Sequence, residues 1–280
     1  MPLTYPLAFG AADVAFSLLD AITSRRGYSR RAKVRYGSHP RQYLDAYAPT
    51  GSSDDAPVVV FFHGGSWDRG EARWYRFVAQ ALASAGLVAV IAEYRLYPEV
   101  TFPAFVEDGA RAVAWAARAF PRAALFVAGH SAGAHIAALI NLDPRYLADA
   151  GVPRNILAGA IGISGPYDFL PLTEERYRLV FPEISRADSQ PIAHVDGKAA
   201  PMLLVTGAAD RTVDPGNTTR LAAAINAKGG DVSVRAYPGV GHLGPLLALA
   251  RALPYCGKPP VRADVAAFVH RLAKKRDVQA

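Results

Sequence analysis

Six short, largely apolar segments recur along this chain of 280 residues, and they constrain its fold more than any other feature. Such segments are typical of strands that are buried on both faces of a sheet. In chain order they are residues 57–62, 87–92, 124–129, 157–164, 201–207 and, more weakly, 232–238. Helical patterns lie near residues 74–85, 103–119, 132–142, 216–228 and 262–275. This alternation predicts an α/β fold, with a mainly parallel central sheet and helices on both faces.

The segments that flank this pattern predict the rest of the architecture. Residues 32–37 and 41–49 alternate polar and apolar side chains, as an antiparallel hairpin at a sheet edge would. One α/β domain can accommodate the whole chain, so we expect a single domain over residues 1–280. Within it we expect an N-terminal helical segment in residues 1–30. Residues 167–200 mix aromatic and charged side chains and are too long for a simple connection, which predicts a small partial lid.

The net charge of +7 is concentrated in one segment. Residues 21–41 hold seven basic and no acidic residues, and elsewhere the two kinds are equal in number. We interpret this segment as a solvated strand edge and loop. Contact with an anionic lipid surface and the steering of acidic substrates stay open as alternatives.

The amino terminus and the cysteine content give expectations about location and cofactors. Asp13 interrupts the first apolar run well short of a membrane span, and no positive charge precedes that run. Cys256 is the single cysteine, which we interpret as a small buried hydrophobe and which leaves no Cys cluster for zinc. We expect a soluble, cytoplasmic protein with no metal, no cofactor, no nucleic-acid partner and no stable membrane insertion. A homodimer stays open.

The segment Gly129-His130-Ser131-Ala132-Gly133 follows a predicted buried strand and opens a predicted helix. A G-x-S-x-G pattern in that setting indicates a nucleophile elbow, in which the glycines allow close packing around a strained turn. A helix N-cap would explain the serine but neither glycine. Ser131 is therefore the candidate nucleophile.

A serine hydroxyl needs a general base, and the base needs a carboxylate that orients it. Asp210 follows the predicted strand at 201–207, and His242 follows the strand at 232–238. The order Ser131, Asp210, His242 is the one that hydrolases built on such a sheet use. Asp214, one helical turn later, is the alternative acid.

The segment His63-Gly64-Gly65-Ser66-Trp67 follows the first buried strand, where backbone N–H groups can point into the site. Together with the N–H of Ala132, it predicts an oxyanion hole. We expect His63 to hold this loop by hydrogen bonding. An ordinary Gly-Gly turn is the alternative.

Five segments in this order resemble the α/β-hydrolase superfamily, in the carboxylesterase group near the hormone-sensitive-lipase-like esterases: HGGSW, EYRLYPEVTFPA, GHSAGAHIAAL, GAADRTV and YPGVGH. HGGSW and GHSAGAH are also similar to kynurenine formamidases. The resemblance implies the α/β-hydrolase fold and serine hydrolysis without a cofactor. It implies these residues: nucleophile Ser131, acid Asp210, base His242, and oxyanion donors Gly65, Ser66 and Ala132.

The chain departs from the lipase-like esterases at two points. Ser66 stands where they usually carry a third glycine, which keeps the N–H but adds a Cβ. Glu93-Tyr94-Arg95 stands where they commonly read Asp-Tyr-Arg. We expect Tyr94 and Arg95 to brace the oxyanion loop, with surface packing as the alternative.

These features predict a serine carboxylesterase that hydrolyses small to medium carboxylic esters through an acyl-enzyme, its partner being a small-molecule ester. One alternative is an arylformamidase that cleaves N-formylkynurenine, which needs groups that hold an amino-acid head. An alternative of another class is a non-catalytic ligand-binding protein on a hydrolase scaffold.

Overall fold

The computed structural model describes residues 11–253 and 259–279, and within them the strands form one eight-stranded sheet. Cys256 and residues 1–10 of the expected N-terminal segment lie outside the described residues. The strands are β1 Tyr28–Arg35, β2 Tyr43–Pro49, β3 Val58–Phe62, β4 Val88–Ala92, β5 Leu125–His130, β6 Leu157–Ile163, β7 Met202–Gly207 and β8 Val232–Tyr237.

The strand order is β1-β2-β4-β3-β5-β6-β7-β8. β1 pairs antiparallel with β2, and β2 pairs antiparallel with β4, whereas the remaining pairs are parallel. The mainly parallel sheet and the edge hairpin are therefore confirmed. The strands β3, β4, β5 and β7 are buried along their whole length, which is why they read as continuous apolar runs.

Helices cover both faces of the sheet. One hydrophobic cluster joins the sheet to α3, α4, α5 and α7, and a second joins its other face to α1, α2, α8 and α9. The helices are α1 Ala11–Ile22, α2 Arg76–Ala83, α3 Ala104–Ala119, α4 Ala132–Leu142, α5 Pro144–Asp149, α6 Glu175–Val180, α7 Gly216–Ala227, α8 Gly244–Leu247 and α9 Val261–Gln279.

The segment at 167–200 consists of α6 and three short 3₁₀ turns, at Glu183–Ser185, Ala187–Ser189 and Pro191–His194. Its Tyr167 and Phe181 are fully buried, so the segment is anchored to the sheet at more than one point. It passes over the carboxyl ends of the parallel strands, where sheets of this kind place their functional residues.

The described residues lack two features, a membrane-spanning helix and a metal-binding cluster. Over 11–253 and 259–279, no helix is long and apolar enough to cross a bilayer. The same residues contain no group of three or more His, Cys, Asp or Glu side chains that could hold a metal ion.

Candidate active site

Ser131 lies at the sharp turn between β5 and α4, with backbone angles φ 53° and ψ −118° that L-residues rarely adopt. Its backbone N–H donates to the carbonyl oxygen of Ile163 (2.9 Å). A Cβ on Gly129 would lie 2.1 Å from the carbonyl oxygen of Gly133, and one on Gly133 would lie 2.0 Å from that of Phe62. Both glycines are therefore required, because α4 packs directly against the backbone of the sheet.

Ser131, His242 and Asp210 form one hydrogen-bonded chain. His242 Nε2 lies 3.0 Å from Ser131 Oγ, and His242 Nδ1 lies 2.7 Å from Asp210 Oδ2. Since a carboxylate can only accept, Nδ1 carries the proton and Nε2 is free to accept from the serine hydroxyl. The other Asp210 oxygen accepts the backbone N–H groups of Thr212 (2.8 Å) and Val213 (3.0 Å), which fix the carboxylate.

Asp214, the alternative acid, pairs with Arg220, whereas the carboxylate at His242 Nδ1 is that of Asp210. The Asp214 side chain is 65% exposed, and its Oδ2 pairs with Arg220 Nη1 at 3.3 Å. The geometry thus brings Asp210, and not Asp214, to His242.

The loop after β3 turns through three successive residues of positive φ, namely Gly65 (130°), Ser66 (53°) and Trp67 (61°). A Cβ on Gly65 would lie 2.2 Å from the carbonyl oxygen of Arg69, so glycine is needed there, whereas Ser66 adopts the left-handed region with its Cβ in place. Among the described residues, the structure records no acceptor for the backbone N–H groups of Gly65, Ser66 or Ala132. Ser66 and Ser131 line the same cleft, and Ala132 follows Ser131 directly in the chain.

His63 anchors this loop, as expected from the sequence. Its Nδ1 lies 2.8 Å from the carbonyl oxygen of Gly64, and its Nε2 lies 3.0 Å from Glu93 Oε1. The Tyr94 hydroxyl donates to the carbonyl oxygen of His63 (2.8 Å), and the two rings stack with centroids 4.3 Å apart. The expected bracing by Tyr94 is therefore present.

Glu93 is the centre of this buried network, and sequence reasoning missed its role. Its carboxylate also accepts the backbone N–H of Ala72 (2.9 Å) and the guanidinium of Arg41. Burial alone would raise the pKa of Glu93, but the adjacent His63 and Arg41 outweigh it and hold the pKa below its usual value. Arg41 further donates to the carbonyl oxygen of Gly70 (2.9 Å).

The expectation that Arg95 braces the oxyanion loop is wrong. Its guanidinium forms two hydrogen bonds with Asp108 of α3, at 2.8 and 2.7 Å, and its remaining described partner is the carbonyl oxygen of Ala104. Arg95 and Asp108 tie the end of β4 to α3. Arg41, which is distant in sequence from the Glu93-Tyr94-Arg95 motif, supports the oxyanion loop instead. No local sequence pattern predicted this.

His130 lies directly behind the base. Its Nε2 donates to the backbone carbonyl oxygen of His242 (3.2 Å), and the two rings lie 4.8 Å apart. Burial, with a contribution from His242, lowers the pKa of His130 to about 3, so the ring is neutral near pH 7. His130 cannot serve as the base, but it holds the backbone that carries the base.

An aromatic cluster joins the oxyanion loop to the segment at 167–200. Trp67 packs edge-on against Phe181 (4.8 Å between centroids), and its Nε1 donates to His135 Nδ1 (3.3 Å). His135 Nε2 in turn donates to the carbonyl oxygen of Ser189 (2.7 Å). Burial lowers the pKa of His135 to about 4, which leaves it neutral and suited to both bonds.

The Ser131 hydroxyl opens on a cleft of about 340 Å³. Trp67, Phe169 and Tyr177 give it aromatic walls. The charged residues of its lining are Asp168, Glu174, Asp214 and Arg220. The cleft is therefore of mixed character, because charged side chains from the 167–200 segment, the loop before α7 and α7 itself converge there.

The sequence of this chain is similar to a known family and to named hydrolases. The model of the BD-FAE family matches residues 44–225, well over half of the chain. Esterase LipC of Mycobacterium tuberculosis (strain ATCC 25618 / H37Rv) is 31% identical over 281 residues, covering 90% of this chain and 67% of LipC. Kynurenine formamidase of Salmo salar is 34% identical over 140 residues, covering 50% of this chain and 47% of the formamidase. This chain thus spans two thirds of the one relative and about half of the other.

A crystal structure of Esterase B from Lactobacillus rhamnosis, inhibited by a tributyrin phosphonate, has a similar fold. It superposes with a TM-score of 0.81 at 18% identity, covering 96% of this chain and 94% of the esterase. The α/β-hydrolase fold predicted from the motifs is confirmed.

Proposed function

Because this chain belongs to the BD-FAE family, in the carboxylesterase group of the α/β-hydrolase superfamily, we propose that it is a serine carboxylesterase for small to medium carboxylic esters. One observation carries the proposal: Ser131, His242 and Asp210 are joined by hydrogen bonds of 3.0 and 2.7 Å, and the serine opens on the cleft.

The geometry supports a two-step mechanism. His242 Nε2 accepts the proton of the Ser131 hydroxyl as its oxygen attacks the ester carbonyl, and Asp210 stabilises the imidazolium that results. The N–H groups of Gly65, Ser66 and Ala132 bind the oxyanion. His242 then gives the proton to the departing alcohol. Water repeats the sequence on the acyl-enzyme and releases the carboxylic acid.

An arylformamidase is the second candidate, and the charged side of the cleft favours it. Arg220 could bind the carboxylate of an amino-acid head, and Asp168 or Asp214 could bind its ammonium group. These are groups of the kind that the sequence alone did not assign. The similarity to a kynurenine formamidase supports the same candidate.

The experiment that separates the two compares kcat/KM for p-nitrophenyl butyrate and N-formylkynurenine, using the native protein and Ser131→Ala. We expect the ester to be preferred by orders of magnitude and the alanine variant to lose turnover of both substrates. A preference for the formamide would favour the second candidate and assign the charged wall to the substrate head.

Two additional variants distinguish the acids. Asp210→Asn should lower kcat by about 10⁴-fold, because the base loses the group that fixes its tautomer, and Asp214→Asn should lower it far less.

Reaction of the folded native protein with a fluorophosphonate probe tests catalysis itself. Absence of labelling at Ser131 would contradict both enzyme functions and favour a non-catalytic binding protein.

A further inference from the structure

The outer face of α1 carries an apolar stripe. Phe16 and Leu19 point inward and are buried in the core. Val14, Leu18 and Ile22, spaced one helical turn apart, point outward and are 50%, 63% and 61% exposed. A helix that is apolar on both faces is normally covered on both, so this stripe requires an explanation.

A strongly basic segment follows α1 at once. Residues 21–41 hold seven basic and no acidic side chains. Within the described part of the chain, no carboxylate forms a salt bridge with Arg25, Arg26, Arg31 or Lys33, and all four are exposed. Arg30, 40% exposed, pairs with Asp45. The side chains of Arg26, Arg31 and Lys33 therefore have no carboxylate partner among the described residues, while Asp20 lies within electrostatic range of Arg25 and Arg30.

The stripe adjoins Arg25, Arg26 and Arg30, whereas Arg31 opposes Ala46 of the other hydrophobic cluster and lies on the opposite face of the sheet. Arg25 and Arg26 lie in the short connection from α1 to β1. Arg30 lies opposite Tyr47 in the β1–β2 pair, and Tyr47 belongs to the same hydrophobic cluster as Phe16 of α1. Because residues that oppose each other across paired strands share a face, Arg30 lies on the side of α1.

We propose that the outer face of α1 and the adjoining residues Arg25, Arg26 and Arg30 form a docking surface for an anionic lipid bilayer. Val14, Leu18 and Ile22 would lie at the boundary of headgroups and acyl chains, with the cations on the lipid phosphates. The acid of α1 closest to this segment, Asp20, is paired with Arg76 (2.9 Å). This surface is independent of the proposed esterase activity.

The positive charge of this surface favours an anionic bilayer, and not a second copy of the chain, as its partner. Two copies that met through this face would bring the same cations together, which is unfavourable. A solvated edge, the interpretation favoured by the sequence, explains the cations but not the exposed stripe beside them. An anionic bilayer accounts for both features.

Flotation of the full-length protein with vesicles tests the proposal. Vesicles of phosphatidylcholine with about one third phosphatidylglycerol should bind the protein at low salt, and added NaCl should weaken binding. Arg25→Gln with Arg26→Gln should weaken partitioning about 30-fold, since each basic residue near the surface contributes about fivefold. Leu18→Gln with Ile22→Gln should weaken it about tenfold or more.

Matched variants control for charge and apolar content elsewhere. Lys198→Gln with Lys228→Gln removes two exposed charges near the opposite edge of the sheet, and Leu179→Gln with Ile184→Gln removes two exposed apolar side chains of the 167–200 segment. Both should bind vesicles like the native protein. Circular dichroism and thermal melting establish that each variant is folded.

Several outcomes would overturn the proposal: no binding by the native protein, equal binding to pure phosphatidylcholine, or equal losses in the surface and control variants. A change of oligomeric mass in Leu18→Gln with Ile22→Gln, without vesicle binding by the native protein, would assign the face to a second copy instead.

Discussion

Single residues around Ser131 set how closely α4 packs on the sheet and where the His242 backbone lies, and no hydrophobic pattern specifies either. Gly129 and Gly133 bring α4 against the sheet, and His130 supports the backbone of the proposed base. The motif predicted that glycines were needed at this turn. The motif did not predict which atoms the glycines approach or which atom His130 contacts. Those partners belong to β3 and to the loop after β8, which only the fold brings to this turn.

Replacement of His130 tests whether its hydrogen bond positions the base. His130→Phe keeps a ring but removes the donor to the His242 carbonyl oxygen, so kcat should fall about tenfold with little change in KM. His130→Gln can restore an Nε2 donor at similar reach and should keep kcat within about threefold of native. Steady-state kinetics across pH measures both. Equal activity of the two variants would contradict the positioning role.

Replacement of Gly133 tests the packing at the turn. Gly133→Ala would place a Cβ 2.0 Å from the carbonyl oxygen of Phe62, a backbone atom that cannot move alone. The free energy of unfolding should fall by about 3 kcal/mol, measured by urea denaturation. Gly151→Ala is the comparison: its Cβ meets open space, and its positive φ should cost only about 1 kcal/mol. Similar losses in both would mean that the contact with β3 is unimportant.

At the scale of elements, the sequence predicted the strands and helices whose hydrophobic pattern is long enough to establish a period. The buried strands and the longer helices agree with their apolar runs to within a few residues. The short helices α5, α6 and α8 were not predicted, because four to six residues do not establish a helical period. The partial lid at 167–200 stays a prediction, although its aromatic residues contact Trp67 of the oxyanion loop.

Replacement of Glu93 tests how the end of β4 holds this loop. Glu93→Gln removes a buried charge that faces Arg41 and His63, and it sets an amide donor against other donors. We expect a loss of stability of about 3 kcal/mol and a lower kcat. Glu99→Gln, at an exposed pair with His39, should change stability by less than about 0.5 kcal/mol. Thermal melting and ester kinetics measure both, and a native-like Glu93→Gln would remove Glu93 from the support of the loop.

At the scale of the whole molecule, folding buries two neutral histidines beside the site. Burial lowers the pKa of His130 to about 3 and that of His135 to about 4. In the unfolded chain a histidine titrates at about 6.5. Between these values the unfolded chain binds more protons than the folded one, so acid favours unfolding.

We therefore expect the free energy of unfolding to fall as pH decreases below about 6.5, by up to about 1.4 kcal/mol per pH unit for each buried histidine. Urea titrations between about pH 7.5 and pH 4.5 measure this slope. His135→Gln, which removes one of the two buried histidines, should make it shallower. A pH-independent stability over this range would contradict the neutral, buried state of both histidines.

The sequence by itself indicated the mainly parallel α/β architecture with an edge hairpin and the candidates Ser131, Asp210 and His242, because apolar periodicity and short motifs are local. Tertiary structure decided the rest. The support of the oxyanion loop by Arg41 and Glu93, the mixed character of the cleft and the outward stripe of α1 depend on which distant side chains meet. Those contacts follow from sheet pairing and helix packing. The sequence pattern around each of these residues does not predict them.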